Sequence, residues 1–328
     1  MSISQKHKYK LALNMIVKNE EHVIKSTLEC ISKYIDYYII CDTGSTDNTK
    51  KFIKDFFDKK NIKGEIHDIP WKNFGYNRSV ALELCNDKCE YCWIIDADDI
   101  IIGDLILPKV LDKDCYYLLY GGDFTYNRNQ IFRIQSKWKY VGVLHEYPTC
   151  EKKNEISELI KGNYYIDSRR LGNRNKDPDK YKKDAQILLE ALKENPNCSR
   201  NTFYLAQSYR DYGEYKLSNK YYLKRFKMGG WDEEIYYSLY MIGKNNIALC
   251  KSAITIENSL LEAYRFRTSR LEALYDLIFY LYYTEKNIEK ASKYAKLGLG
   301  INSYSDKLFI TSTIYDYKFK DLASIILF

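Results

Sequence analysis

No apolar run in this chain approaches the ~20 residues that a membrane-spanning helix needs. The stretch from Met1 to Lys10 is polar and lysine-containing and lacks the apolar core of a signal peptide, so a cytosol-like compartment is expected. The nine cysteines are an odd, scattered set, which argues for reduced thiols over a disulfide framework. Cys85, Cys89 and Cys92 cluster, but no second pair or nearby His completes four zinc ligands, so they are expected to pack as small apolar residues. No Lys/Arg block with interleaved aromatics occurs, and the net charge of +7 is spread along the chain. That excludes an evident nucleic-acid partner and leaves solubility and some attraction for anionic ligands. The Gly-rich fingerprints of dinucleotide and P-loop proteins are missing too, so a nucleotide site here must use side chains and loop amides.

What is present suits a globular protein of one large domain or two ordinary ones: 328 residues, 45% hydrophobic and 29% charged. The abundance of tyrosine, 33 copies, with Lys, Asn and Ile reads as a compositional bias of the genome. The N-terminal half alternates strand and helix. Lys10–Val17, Tyr37–Cys41, Glu65–Ile69 and Tyr91–Ile95 read as strands. Val23–Ile35, a segment through Phe52, Ile53 and Phe56, and Tyr76–Cys85 read as helices, with Ser45 or Thr46 capping the second. This order predicts a mostly parallel sheet covered by helices.

The centre of the reading is Tyr91–Ile102, an apolar strand running into Asp96, Asp98 and Asp99. Ligands in open α/β sheets sit beyond the carboxyl ends of strands. Asp96 and Asp98, two apart in extended chain, would point to one side and suit Mg²⁺ or Mn²⁺ carrying phosphates. A polar turn closing the strand is the plain alternative. Asn19, Glu21 and Asp42 also fall at strand carboxyl ends.

Val17-Lys18-Asn19-Glu20-Glu21, then Asp42-Thr43-Gly44-Ser45-Thr46-Asp47-Asn48-Thr49, then Asp96-Ala97-Asp98 together resemble the family two glycosyltransferases of the GT-A fold. The resemblance implies inverting transfer from a UDP-sugar of the glucose or N-acetylglucosamine type. It implies donor contacts from Val17, Asn19, Glu21, Asp42, Asn77, Arg78, Asp96 and Ala97, with Glu21 and Asp42 on uracil and ribose and Arg78 facing the nucleotide. It also implies Asp98 as a ligand of Mn²⁺ or Mg²⁺, with Asp96 on ribose or metal.

Further on, Arg128–Ile134 and Tyr140–Val143 read as an antiparallel hairpin joined by Gln135-Ser136-Lys137. His145, beside Glu146 at a strand end, is a candidate third metal ligand, since neutral imidazole suits Mn²⁺; a hydrogen-bonded structural His is the alternative. Inverting transfer needs a carboxylate to take the acceptor's proton. The family often supplies it from a Glu-Asp pair, which this sequence lacks, so Glu146 and then Asp123 are the candidates.

Arg169–Lys183 reads as a linker, and the domains are expected at residues 1–175 and 176–328. The segments Lys180–Leu192, Asn201–Phe226, Glu234–Cys250 and Arg270–Leu297 read as helical. Phe203-Tyr204-Leu205-Ala206, Tyr212-Gly213 and Tyr221-Tyr222 resemble a tetratricopeptide repeat, with an irregular bundle as the alternative. Gly229-Gly230-Trp231-Asp232-Glu233-Glu234 resembles a subgroup that fuses a family two domain to such helices. This half is expected to position a protein or glycan acceptor or to form a homodimer. The competing function is a catalytically silent nucleotide-sugar-binding, helical-repeat interaction protein.

Overall fold

The computed structural model describes residues 9–122 and 124–327. They form two compact units, residues 9–122 with 127–180, and residues 124–126 with 181–327.

The first unit follows the strand–helix alternation read from the sequence. Strands β1 (Tyr9–Val17), β2 (Tyr37–Asp42), β3 (Lys63–Asp68) and β4 (Cys89–Ile94) are separated by helices α1 (Ile24–Ile31), α2 (Thr49–Lys59) and α3 (Phe74–Glu83). Then come β5 (Asp99–Asp104), β6 (Cys115–Tyr120), β7 (Phe124–Arg133), β8 (Trp138–Val141), β9 (Tyr147–Cys150), β10 (Ser157–Leu159) and β11 (Asn163–Ser168). The main sheet runs β3-β2-β1-β4-β7-β6-β11-β5, with β10 beside β6. The β3-β2-β1-β4 half is parallel, so β1, β2 and β4 end on one edge. Every residue of β2 is buried, as a central parallel strand covered on both faces requires. Cys85, Cys89 and Cys92 pack with Ala12 and Phe132 in the apolar core, and the nine cysteines are free thiols.

Two local expectations fail for identifiable reasons. Ile131 and Phe132 are fully buried, so β7 enters the sheet antiparallel to β4, and β8 pairs with β9 instead of returning on β7. A short 3₁₀ turn at Ile134–Ser136, followed by Lys137 at φ +51°, redirects the chain between them. At α2, Asp47 accepts from the Thr49 amide at 3.0 Å, while Ser45 accepts from the Asn19 amide at 2.9 Å and so does not cap the helix.

In the second unit come α4 (Lys180–Glu194), α5 (Ser199–Asp211), α6 (Tyr215–Lys227), α7 (Asp232–Ala248), α8 (Ala253–Phe266), α9 (Glu272–Phe279), α10 (Ile288–Gly298) and α11 (Phe319–Leu327). The helices from α5 to α9 pack in sequence, each on the next, as tetratricopeptide-like repeats do. Gly213, at φ +87°, makes the tight turn between α5 and α6. Helix α8, which the sequence reading passed over, is capped by Ser252 and buries Ile256, Leu260 and Leu261. A short strand, β12 (Ile310–Thr311), pairs with Thr125 and Phe124. Buried among these helices, Arg270 donates to Glu272 through Nε and Nη2, both at 2.9 Å, and to Asp306 through Nη1 at 3.1 Å. No helix among the described residues is long and apolar enough to cross a membrane.

Candidate functional site

The loops leaving β1 and β2 are laced together. Asn19, at φ +57°, accepts from the Thr46 amide at 2.7 Å and its own amide donates to Ser45 Oγ. Glu21 accepts from the Asn48 amide at 3.0 Å, and the Val17 carbonyl accepts from the Thr43 amide at 2.9 Å. Asp42 closes β2. Its Oδ1 accepts from the amides of Gly44, at 2.9 Å, and Ser45, at 2.7 Å. Gly44 holds φ +104°, a conformation side chains disfavour. The other Asp42 oxygen, Oδ2, is buried with no hydrogen-bond partner.

Beyond β4 the carboxylates do not line up on one side. The chain turns at residues 97–98 and the Asp99 amide donates to the Asp96 carbonyl at 3.2 Å, so the extended geometry assumed for Asp96 and Asp98 is lost. Each acid then finds a different partner. Asp96 accepts from Arg78 Nη2 at 2.5 Å and from Arg128 Nη1 at 2.8 Å. Asp98 Oδ2 accepts from the Gly172 amide at 2.8 Å. Asp99 Oδ2 accepts from Tyr120 Oη at 2.9 Å, leaving Oδ1 buried and unpartnered. Ala97 is buried, its carbonyl taken by Thr27 Oγ1 at 2.7 Å.

The electrostatics follow these pairings. Burial alone would push Asp96 up, but the guanidiniums of Arg128 and Arg78 outweigh it and hold its carboxyl well below the usual range. Asp99 is pushed up to about 7 by burial, reinforced by the charge of Asp96. Glu20 is also pushed up to about 7, by burial first, against the Asn173 amide that binds it and with help from the charges of Asp98 and Asp47.

Helix α3 and the β8–β9 hairpin bring Glu146 to this cluster. Ser79 Oγ accepts from the Tyr140 amide at 2.9 Å, and a Cβ at Gly75 would collide with the Gly142 carbonyl oxygen. With the elements so close, Arg78 Nε reaches Glu146 Oε1 at 2.6 Å. Asn77 does not face outward: its Oδ1 accepts from the Lys72 amide at 2.9 Å and its Nδ2 donates to the Pro70 carbonyl at 3.0 Å. His145 is exposed at φ +51° in the bend between β8 and β9. Asp123 lies outside the described residues.

Sequence reasoning missed Arg128 and Glu20. The register signals the first, since Tyr91 pairs with Arg133 and Trp93 with Ile131, and continuing it sets Arg128 opposite Asp96. Nothing in the sequence separates Glu20 from its neighbour Glu21. Residues 169–173, read as linker, are anchored to the site. Arg169 Nε donates to the Asp98 carbonyl at 2.8 Å, and the Asn173 amide to Glu20 at 3.1 Å.

Among the described residues, no group of three or more His, Cys, Asp or Glu side chains is arranged to hold a metal ion, so Asp96, Asp98 and His145 are not assembled as a three-ligand set. Asp96 already neutralises two guanidiniums. The better fit for a divalent cation is Asp98 with Glu20: Asp98 Oδ2 and both Glu20 oxygens converge to 3.4 Å from the Cβ position of Gly172. Crowded like charges of this kind favour a cation, and Mg²⁺ often takes one or two carboxylates plus substrate phosphates.

Known proteins resemble parts of this chain. It is 30% identical over 151 residues to the SPbeta prophage-derived glycosyltransferase SunS of Bacillus subtilis (strain 168), covering 42% of this chain and 34% of that protein. It is 28% identical over 106 residues to the lipopolysaccharide core biosynthesis glycosyltransferase LpsC of Rhizobium meliloti (strain 1021), covering 32% of this chain and 38% of that one. The chain thus spans little more than a third of the length of these curated relatives. Among solved structures, S. aureus TarS 1-349 in complex with UDP-GlcNAc aligns at 17% identity and a TM-score of 0.35, over 90% of this chain and 94% of that one. Asp42, Arg78 and Asp96 all lie within residues 13–179, which match the model of Glycosyl transferase family 2, and on that match over half its length the chain belongs to this family.

Proposed function

We propose that this chain is a metal-dependent inverting glycosyltransferase that moves a sugar from a UDP-sugar, of the UDP-glucose or UDP-N-acetylglucosamine type, to an acceptor. The observation that carries the reading is Asp42 Oδ2, buried without a partner at the carboxyl end of β2. A buried carboxylate oxygen left unmet costs roughly 1–3 kcal/mol or more, so native structures keep such atoms for a reason. The imide N–H of uracil is a donor of the right kind, and ribose would lie toward Glu21 at the neighbouring strand end.

In the transfer, the acceptor's nucleophilic atom bonds to the anomeric carbon while the bond from that carbon to the β-phosphate oxygen breaks. The bonding pair leaves with UDP, and the acceptor's proton goes to a carboxylate. We assign that carboxylate to Glu146, whose side chain is 9% exposed and oriented by Arg78. Asp98, with Glu20 beside it, would hold Mn²⁺ or Mg²⁺, and the bound cation supplies charge neutralisation for the departing diphosphate. The helical unit would present a protein or glycan acceptor, since stacked repeat helices make surfaces that suit such partners.

A screen of UDP-sugars for Mn²⁺-dependent UDP release tests the reading. One sugar should support release, Asp98→Ala should abolish it, and Glu146→Gln should lower acceptor transfer on the order of 10²-fold with donor binding kept. Tight UDP binding with no release from any sugar would favour the silent binding protein.

A further inference from the structure

The two arginines that grip Asp96 are held differently. Arg78 is 6% exposed, commits Nε to Glu146 and Nη2 to Asp96, and lies over the Tyr140 ring, so its charge is consumed inside the fold. Arg128 is 28% exposed. Its Nη1 donates to Asp96 Oδ2 at 2.8 Å and stands 4.0 Å from Asp99 Oδ2, with the ring of Tyr120 beneath it at 5.4 Å. It rises from β7 at the carboxyl edge of β4, set there by the antiparallel register. The sequence assigned the nucleotide-facing guanidinium to Arg78; the structure gives the more accessible position to Arg128.

We propose that Arg128 is a donor-binding residue whose guanidinium takes the diphosphate of the nucleotide-sugar, and that Asp96 is the positioning residue that holds it at the strand edge. This rests on the UDP-sugar reading above. A planar guanidinium stacked on an aromatic ring is pre-oriented, and it matches phosphate oxygens in bidentate fashion as an ammonium does not. A diphosphate also brings more negative charge than the Asp96 carboxylate that now accepts from Arg128. As the bond to the anomeric carbon breaks, the electron pair settles on the β-phosphate oxygen. Arg128 then donates stronger hydrogen bonds without giving up a proton. Asp96 accordingly acts through arginines, not as a cation ligand.

The test is calorimetric titration of the full chain with UDP and with uridine, in EDTA so that no divalent cation contributes. The wild type should bind UDP more tightly than uridine. Arg128→Met should weaken UDP about 10- to 100-fold, the range for a hydrogen bond to a charged group, and leave uridine unchanged. Arg128→Lys, which keeps the charge but not the fork, should fall between, and it decides the matter if Arg128→Met does not fold. Equal losses for UDP and uridine would mark Arg128 as merely structural and overturn the proposal, as would an unchanged UDP-to-uridine ratio. A wild type that binds neither probe, in EDTA or with Mn²⁺ restored, would instead sink the UDP-donor reading itself.

Discussion

In the helical unit, Arg270 is fully buried and its guanidinium is met on every side: Glu272 on Nε and Nη2, Asp306 on Nη1, and the carbonyls of Leu308 and Phe309. Glu272 is satisfied in turn by Tyr315 Oη at 2.8 Å, and Asp306 by Arg267. At the carboxyl edge of the sheet, buried acids are left incomplete. Asp42 Oδ2 and Asp99 Oδ1 have no partner, and Glu20 and Asp99 are pushed up to about 7. Both regions bury charge, but one closes its network within the protein and the other leaves positions that a ligand must complete. The first arrangement is what stability requires of a buried ion pair; the second sacrifices stability and is characteristic of sites.

Breaking the closed network should give the largest effect. Arg270→Met leaves buried Glu272 without its guanidinium and Asp306 with Arg267 alone, and should destabilise the chain by about 3–5 kcal/mol, read from the urea midpoint. A loss below ~1 kcal/mol would erase the contrast between the regions. Asp42→Asn should do the reverse. It keeps the acceptor for the Gly44 and Ser45 amides, so stability should shift by less than ~1 kcal/mol while uridine affinity falls about tenfold or more.

The smallest effect sharpens the comparison through pH. Glu20 ionises near 4.5 when unfolded and near 7 when folded, so between those values the folded chain holds the extra proton. Stability from this group therefore falls as pH rises from about 4.5 to about 7 and is level outside that window. Glu20→Gln should be neutral at pH 4 and stabilising by roughly 1–2 kcal/mol at pH 8, after allowing for solvent screening. Melting curves of both chains across that range would check it; a gap that is constant with pH would mean that burial does not raise Glu20 in the folded chain.

Much of the first unit was legible because buried parallel strands and amphipathic helices write their periods directly into the chain, and the acids at the ends of β2 and β4 followed from strand ends alone. The misplacements have two causes. The amides of Gly172 and Asn173 reach Asp98 and Glu20 across long sequence separations, which local pattern does not encode. The β8–β9 pairing and the turn that parts Asp96 from Asp98 are short-range, and there the sequence admits more than one local arrangement. Helix α8 has the apolar spacing and a Ser cap, so its pattern is local and legible in the sequence.

By itself, then, the sequence determined which residue types stand where strands end, because hydrophobic period and turn chemistry are local. Tertiary structure decided which of those groups are neutralised and which remain unmet. That choice depends on the partners that distant strands deliver, as when β7 sets Arg128 against Asp96 while Asp42 keeps one oxygen bare.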